Sequence, residues 1–260
     1  MINVIRAQFY QLKKDIVVWG ILLFALLISF IMHIESFEKA LTGSEAATLM
    51  GESMSVMVGM LVIMVVVANV MGKDFLDKTI NYEVLSGHTR RDVFLGRLLV
   101  GTTTGVLLAF IVTLAIPVTL TILNGWGTTM ELNGFLIRCG LYLLILIRIA
   151  CELAFLTTIA KNPYITYLVA FVLGEVQMGL TTAQIHYADA EVSPVLPVAN
   201  SMNLFMFQDW STFFLDETDQ IVYNSAVTSE MAFWAIVPSI VIGLVMVIFT
   251  YVFFRQDDLN

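Results

Sequence analysis

Arg148, Glu152 and Glu175 are ionisable residues inside long apolar stretches of the sequence. Arg148 and Glu152 stand four residues apart, so a helix would carry them on one face. Only a short turn at residues 161–163 separates their stretch from the one that holds Glu175, so the two helices should pack antiparallel as neighbours. Counting inward from that turn at about 1.5 Å per residue puts Arg148 and Glu175 at a similar depth. We therefore expect an Arg148–Glu175 ion pair, with Glu152 nearer the turn.

Charges at this depth would be unusual in a membrane, and two interpretations of them stay open. An ionisable side chain in the hydrocarbon interior costs at least about 2.5–3.5 kcal/mol unless it is paired or hydrated, which makes it a candidate for function. The three groups could line a translocation path or a gate. They could also form a structural salt bridge that sets the register of neighbouring helices, and the presence of both signs of charge favours this second interpretation.

A polar segment at residues 72–97 interrupts the apolar pattern and holds five of the thirteen Lys and Arg residues of the chain. Thr89 followed by Asp92 has the form of a helix N-terminus. Residues 77–85, ending before Gly87, could form a short helix in front of it. The segment is therefore predicted to be a helical hairpin at the membrane surface. The alternative is an ordinary basic loop that only determines the topology of the chain.

The composition indicates an all-α polytopic membrane protein. The chain has 260 residues, of which 58% are hydrophobic and 13% are charged, and its mean hydropathy is +0.87. Soluble domains contain nearer a quarter of charged residues, and after about six spans of roughly 20 residues no room is left for a soluble ATPase domain. Walker A, zinc-protease and serine-nucleophile motifs are absent from the sequence. No catalytic residue, metal site or cofactor is therefore predicted in this chain.

Six transmembrane helices are predicted, together with two elements that do not cross. Residues 2–15 are basic and amphipathic, which favours a helix in the membrane interface over a frayed, solvated N-terminus. Residues 182–231 lie between spans 5 and 6 and are expected to form re-entrant or external helices, the alternative being a small folded external loop. The spans are predicted near residues 16–34, 54–71, 98–123, 134–159, 164–181 and 232–254, within one transmembrane domain of residues 1–260.

The distribution of basic residues predicts the orientation in the plasma membrane. Ten Lys and Arg residues outside the predicted spans fall on one side of the six-span arrangement, and Lys39 alone falls on the other. Basic loops remain in the cytoplasm. Both termini, the hairpin between spans 2 and 3, and the turn at residues 161–163 are therefore predicted to be cytoplasmic.

The polar segment 72–97 resembles the corresponding region of ABC-2-type permeases, the membrane subunits of one class of ATP-binding-cassette exporters. In that family an acidic residue is followed by Gly-Thr, Leu-Leu, a short Pro-containing turn, Ser-Arg, an apolar residue and Gly-Lys before the third span. Here Lys78 replaces the glycine, and Gly87-His88 replaces the proline turn. The matching positions are Asp77, Thr79, Leu85, Thr89-Arg90, Val93 and Gly96-Arg97.

The resemblance extends over the whole chain and implies a permease subunit without its own ATPase. A separate nucleotide-binding subunit would hold ATP and Mg, and its ATP hydrolysis would drive export of a lipid, a peptide or a hydrophobic small molecule. Further partners would be a second permease copy or paralogue and membrane lipids, but no nucleic acid. The surface that couples to the ATPase would consist of Lys13, Lys14, Asp77, Thr79, Arg90 and Arg91.

Two alternatives from other classes stay open at this point. The chain could be a membrane immunity, sensor or scaffold subunit that binds its target without transporting anything. It could also be an ATP-independent carrier or channel, in which Arg148 and Glu175 would relay an ion or a proton. Association with an ATPase would separate the exporter from both alternatives.

Overall fold

The chain folds into a bundle of helices. The computed structural model describes residues 1–49, 55–76, 87–187, 227 and 229–256, and this part of the chain contains nine helices and no strand. The all-helical prediction is confirmed for these residues. In chain order the helices are α1 (Ile2–Lys14), α2 (Ile16–Met32), α3 (Ile34–Glu38), α4 (Gly43–Leu49), α5 (Ser55–Leu76), α6 (Arg90–Asn124), α7 (Leu132–Ala160), α8 (Pro163–Tyr187) and α9 (Ser229–Gln256).

Each predicted span falls on a helix, but the helices differ in how well they match the thickness of a membrane. Within the described residues, α6, α7 and Ala232–Gln256 of α9 are long and apolar enough to cross one. α1 and α2 pass the same test together as a pair bent by 58°, which gives four spans if the pair is counted as one. The apolar parts of α5 and α8 are shorter, at Met57–Lys73 and Pro163–Val176. The chain therefore has the character of a membrane protein, while the number six and the sidedness stay predictions.

α5 lies at the centre of the bundle. Val62, Ile63, Val66 and Val67 of this helix are fully buried, and α5 contacts α2, α6, α7 and α8. Gly105 of α6 comes so close to α5 that a Cβ atom there would lie 3.1 Å from the Ile63 side chain. Small residues allow helix backbones to approach in this way. The α5–α6 pair is therefore the closely packed centre of the bundle, and α9 packs mainly on α7.

The outer faces of α2 and α9 are apolar. α2 exposes Leu23, Phe24, Leu27 and Ile31, and α9 exposes a similar row that includes Leu244. Exposed apolar surface of this extent is rare on soluble proteins and marks contact with a membrane or another protein. These faces agree with the membrane character of the chain, because lipid chains can cover them at no cost in hydrophobic free energy.

Two predicted elements fall partly outside the described residues. The expected hairpin helix at residues 77–85 is in the stretch 77–86, which the description does not include. The same holds for residues 188–226 and 228 of the connection that was expected to carry re-entrant helices. α8 continues to Tyr187, beyond the predicted end of the fifth span at residue 181. Both predictions therefore stay predictions.

One end of the bundle contains α4 and the connection between α6 and α7, and we call it the α4 end. The backbone N–H of Gly43 donates to the carbonyl of Gly125 at 3.0 Å, and the N–H of Ser44 donates to the carbonyl of Trp126 at 2.6 Å. The same Gly43 leaves no room for a side chain, because a Cβ there would collide with Thr121 of α6. Backbone hydrogen bonds and close backbone packing therefore join α4 to the end of α6.

A capping box begins α4. The Glu45 carboxylate accepts the N–H of Thr42 at 2.7 Å, and Thr42 Oγ1 accepts the N–H of Glu45 at 3.5 Å. The hydrogen bond from the Thr42 backbone is the main cause that lowers the pKa of Glu45 below its ordinary value. Gly127, with φ of 86°, packs on this cap so closely that a Cβ would lie 2.7 Å from Ser44 Oγ. The cap and the α6–α7 connection thus form one unit.

Candidate functional site

The opposite end of α6 begins at Arg90, directly after the capping residue Thr89. Thr89 Oγ1 accepts the N–H of Asp92 at 3.1 Å, and the carbonyl of Thr89 accepts the N–H of Val93 at 3.1 Å. The predicted helix start at Thr89 is therefore confirmed. From this cap α6 runs for 35 residues without a break, which corresponds to roughly 52 Å at the usual rise per residue. Its first turn is thus connected by one continuous helix to the α4 end.

α1 packs against the beginning of α6, and Asp15, directly after α1, is paired with Lys73 at the end of α5. We call this part of the molecule the α1 end. The face that α1 buries consists of Val4, Gln8 and Leu12, spaced by four residues each. Gly96 of α6 accommodates this face, because a Cβ there would lie 2.9 Å from Cγ1 of Val4. Ile2 stays 65% exposed on another face. Residues 2–14 are helical, whereas the interfacial amphipathic character of this helix stays a prediction.

Asp15 joins three helices at the α1 end. Its Oδ1 accepts the N–H of Val17 at 2.9 Å and so caps α2, while its Oδ2 pairs with Lys73 Nζ of α5 at 3.1 Å. The indole N–H of Trp19 donates to the carbonyl of Lys13 at 2.9 Å across the same bend. Asp15 was missed as a site residue. Its signal was present, since an Asp directly before an apolar helical run has the form of an N-cap.

The predicted coupling residues fall into two groups at the α1 end. Arg91 is exposed on the first turn of α6, and Arg90 beside it donates from Nη1 to the carbonyl of Arg255 in α9 at 3.0 Å. Lys13 and Lys14 are exposed at the other end of α1. The two pairs of cations are therefore separated by about the length of α1, roughly 18 Å by its helical rise.

Asp77 and Thr79, the remaining two predicted coupling residues, lie outside the described residues. The structure ends α5 at Leu76, directly before them, and begins α6 at Arg90. The connection that carries both residues therefore starts and ends at the α1 end. Their part in a coupling surface stays a prediction.

The intramembrane charges pair differently from the expectation. Arg148 Nε lies 3.4 Å from Glu152 Oε1 in the same helix, α7, whereas Glu175 is exposed on α8. The structure thus replaces the expected Arg148–Glu175 pair with an Arg148–Glu152 pair. The reason is the packing of α7, which contacts α9 more extensively than α8. Gly243 of α9 sits against the backbone of Arg148, with the site of its Cβ 3.9 Å from the Arg148 Cα.

Two further buried arginines were not predicted as site residues. Arg97 of α6 and Arg138 of α7 are 0% and 1% exposed, and Arg138 Nη1 donates to the carbonyl of Gly134 at 3.4 Å. One turn along α7 from Arg138, the hydroxyl of Tyr142 lies 3.1 Å from that of Thr113 in α6. The signal for Arg138 was available, because it is a charged residue inside a predicted span. The burial of Arg97 follows only from the packing around α6.

A metal centre has no support in the part of the chain that the structure describes, where no group of three or more His, Cys, Asp or Glu residues could hold an ion. No protein-family model matches the chain, and no curated protein does either. The resemblance to ABC-2-type permeases therefore stays a prediction from the sequence of segment 72–97 and its place in the chain.

Proposed function

We propose that the chain is the membrane-embedded permease subunit of an ABC-2-type exporter, driven by separate ATPase subunits that dock at the α1 end. Three features support this function. The chain is an apolar helical bundle, its sequence lacks an ATPase motif, and segment 72–97 resembles a permease docking hairpin at most of the motif positions, with departures at Lys78 and Gly87-His88. ATP and Mg would be held by the partner, so this chain would supply only the docking surface and the moving helices.

The observation that carries the proposal is that α1 packs on α6, while Asp15, the residue between α1 and α2, is paired with α5. Val4 contacts α6 at Gly96, and Asp15 at the far end of α1 is paired with Lys73 of α5. A push on the exposed Arg91 would be passed along α6, and a push on α1 would reach α5 and, through the cap at Asp15, also α2. The α1 end therefore has the connections that a coupling surface requires.

The substrate class in this proposal is a lipid, a peptide or a hydrophobic small molecule. The Arg148–Glu152 pair lies on α7 beside α9, and the side chain of Glu152 is 32% exposed while that of Arg148 is 4% exposed. A carboxylate held by a buried guanidinium can meet a polar group of a passing substrate. It can equally stabilise the α7–α9 contact, and transport by Glu152→Gln distinguishes the two roles.

The test is co-purification of the tagged full chain from its own membrane, followed by ATPase assays of the captured complex. We expect an ATPase subunit to be captured and its turnover to rise in the complex. Arg91→Glu should reduce both, since it reverses an exposed charge on the docking surface. Lys39→Glu is the matched control, because it reverses an exposed charge next to the α4 end.

Two results would contradict the proposal. One is the capture of no ATPase by the wild-type chain under conditions that preserve other membrane complexes. The other is an Arg90→Glu, Arg91→Glu double variant that keeps both the assembly and its ATPase rate. Capture of a non-ATPase target without transport would instead support the immunity, sensor or scaffold alternative.

A further inference from the structure

A groove of about 480 Å³ lies at the α1 end, between α1, the start of α2 and the last turns of α5. This volume is in the range of small-ligand sites. Leu12, Val18 and Val70 contribute apolar walls, and Lys14 and Lys73 contribute cationic groups. A surface that combines an apolar wall with cations suits a ligand that has an anionic and a hydrocarbon part.

The charges of the groove leave one positive charge in excess. Lys14 Nζ lies 4.3 Å above the centre of the Tyr10 ring, and Lys73 Nζ lies 3.1 Å from Asp15 Oδ2. Both ammonium groups and this one carboxylate belong to the lining of the groove, so their sum is +1. A singly charged phosphodiester would neutralise it, whereas a free phosphate with more negative charge would not be matched.

Hydrogen-bonding capacity is also present in the wall. Asn69 lines the groove, and its Oδ1 accepts the hydroxyl of Tyr167 at 2.9 Å. Its Nδ2 has no acceptor among the described residues. Buried polar groups are normally satisfied, so this amide is a donor that the fold itself does not use.

The groove lies where apolar helices meet polar ends. Lys14 is in the last turn of α1, shortly before the apolar α2, and Lys73 is in the last turn of α5, at the end of its apolar stretch. Trp19, exposed one turn into α2, bonds through its indole N–H to the Lys13 carbonyl. Tryptophan at such a boundary is typical of the membrane interface.

We infer that this groove binds the headgroup of an anionic glycerophospholipid. The phosphate lies between Lys14 and Lys73, and the acyl chains follow the exposed apolar face of α2. A lipid is favoured over an acidic protein segment because Leu12, Val18 and Val70 give the groove an apolar lining at the level of Trp19. The inference does not depend on the proposed exporter function. It assigns Lys14 to a lipid, whereas Arg91 remains on the docking surface.

The test is a lipid titration of the purified full chain in detergent, followed by native mass spectrometry. Phosphatidylglycerol and phosphatidylcholine with the same acyl chains are the two probes, and inorganic phosphate is the soluble competitor. We expect the wild-type chain to prefer phosphatidylglycerol. Lys14→Gln should weaken that binding about fivefold, as expected for one basic residue near an anionic lipid surface. Inorganic phosphate should not compete.

The control is Lys13→Gln, which removes the same charge from the neighbouring position but lies outside the lining of the groove. It should retain the wild-type preference. Lys73→Arg serves as a second variant, since it keeps both the charge and the pairing with Asp15, and it should also retain the preference.

Three outcomes would overturn the inference. Equal losses in Lys13→Gln and Lys14→Gln would mean a diffuse basic surface. Full competition by inorganic phosphate would mean a site for a free anion. Unchanged lipid binding in Lys14→Gln, together with lost capture of a protein partner, would mean that the groove is part of a protein interface.

Discussion

At the α4 end, backbone groups hold the helices together, whereas at the α1 end charged side chains do so. Gly43 and Ser44 donate backbone hydrogen bonds to the turn after α6. At the other end of the bundle the corresponding ties are the Asp15–Lys73 pair, between the start of α2 and α5, and the hydrogen bond from Arg90 of α6 to the carbonyl of Arg255 in α9.

The difference indicates which end can exchange contacts with a partner. Backbone hydrogen bonds between closely packed segments have no freedom to rearrange, and a glycine with positive φ such as Gly127 makes the geometry more restrictive. Side-chain ion pairs at an exposed site contribute little net stability and are weakened by salt. The α1 end can therefore alter its contacts at a lower cost, which suits docking and lipid binding, and the α4 end serves as the fixed end of the bundle.

The largest change in the free energy of unfolding is expected for the Arg148–Glu152 pair, which lies between the two ends. Glu152→Gln should lower the free energy of unfolding by about 3 kcal/mol, because it removes the carboxylate that is paired with the buried Arg148. Glu175→Gln is the control and should have little effect, since Glu175 is exposed on α8. The measurement is equilibrium unfolding in mixed micelles. If both variants lost the same free energy of unfolding, the result would support the originally expected Arg148–Glu175 pair instead.

The second-largest change in stability is expected at the α4 end, where two glycines of the same turn can be compared. Gly125 and Gly127 have φ of 81° and 86°, but only Gly127 would place a Cβ against Thr42 and Ser44. Gly127→Ala should therefore lower the free energy of unfolding by about 1–3 kcal/mol more than Gly125→Ala, since both share the backbone strain and only one adds a steric clash. Similar losses in the two variants would show that the α4 end is not closely packed.

The third effect separates the two roles of Asp15 at the α1 end. Asp15→Asn keeps an N-cap for α2 but removes the charge that pairs with Lys73. The free energy of unfolding should therefore fall by less than about 1 kcal/mol, and this loss should be smaller at high salt. Asp15→Ala also removes the cap and should lose about 1 kcal/mol more, independent of salt. Both losses are read from the midpoint of thermal unfolding at low and high salt. A large, salt-independent loss of stability in Asp15→Asn would contradict the conclusion that the α1 end can change its contacts at a low cost in free energy.

The smallest effect is expected in the pH dependence of the stability of the α4 cap. The pKa of Glu45 is lowered, so its contribution to the α4 cap is fully present above the ordinary glutamate pKa of 4.5 and is lost as the pH falls through the lowered value. Hydrogen exchange of the α4 amides between pH 3 and 6 is the measurement, and exchange corrected for its intrinsic pH dependence should increase at the acid limit. Glu45→Gln is the control and should show no such increase. A wild-type response equal to that of the control would mean that the capping box is not formed.

Several elements could be predicted from local sequence alone. The start of α6 at Thr89 was predicted because an N-cap depends on neighbours within three residues. The positions of the long helices followed from the apolar runs for the same local reason. The partner of Arg148 could not be predicted in this way, because its choice between Glu152 and Glu175 depends on which helix packs on which face of α7. Depth alone was used to predict the pair, and depth does not determine rotation about the helix axis.

The contrast between the α1 end and the α4 end also could not be predicted from local sequence patterns. Lys14 and Asp15 are far from Lys73 in the sequence, and the groove that the three residues line forms only when the bend between α1 and α2 lies beside the end of α5. By itself, the sequence determined the helical and membrane character, the apolar runs and the caps, because these depend on composition and on spacing within a few turns. Only the tertiary structure decided which charges meet, which arginines are buried and which end is held by backbone bonds, because these depend on how each helix is rotated and packed against its neighbours.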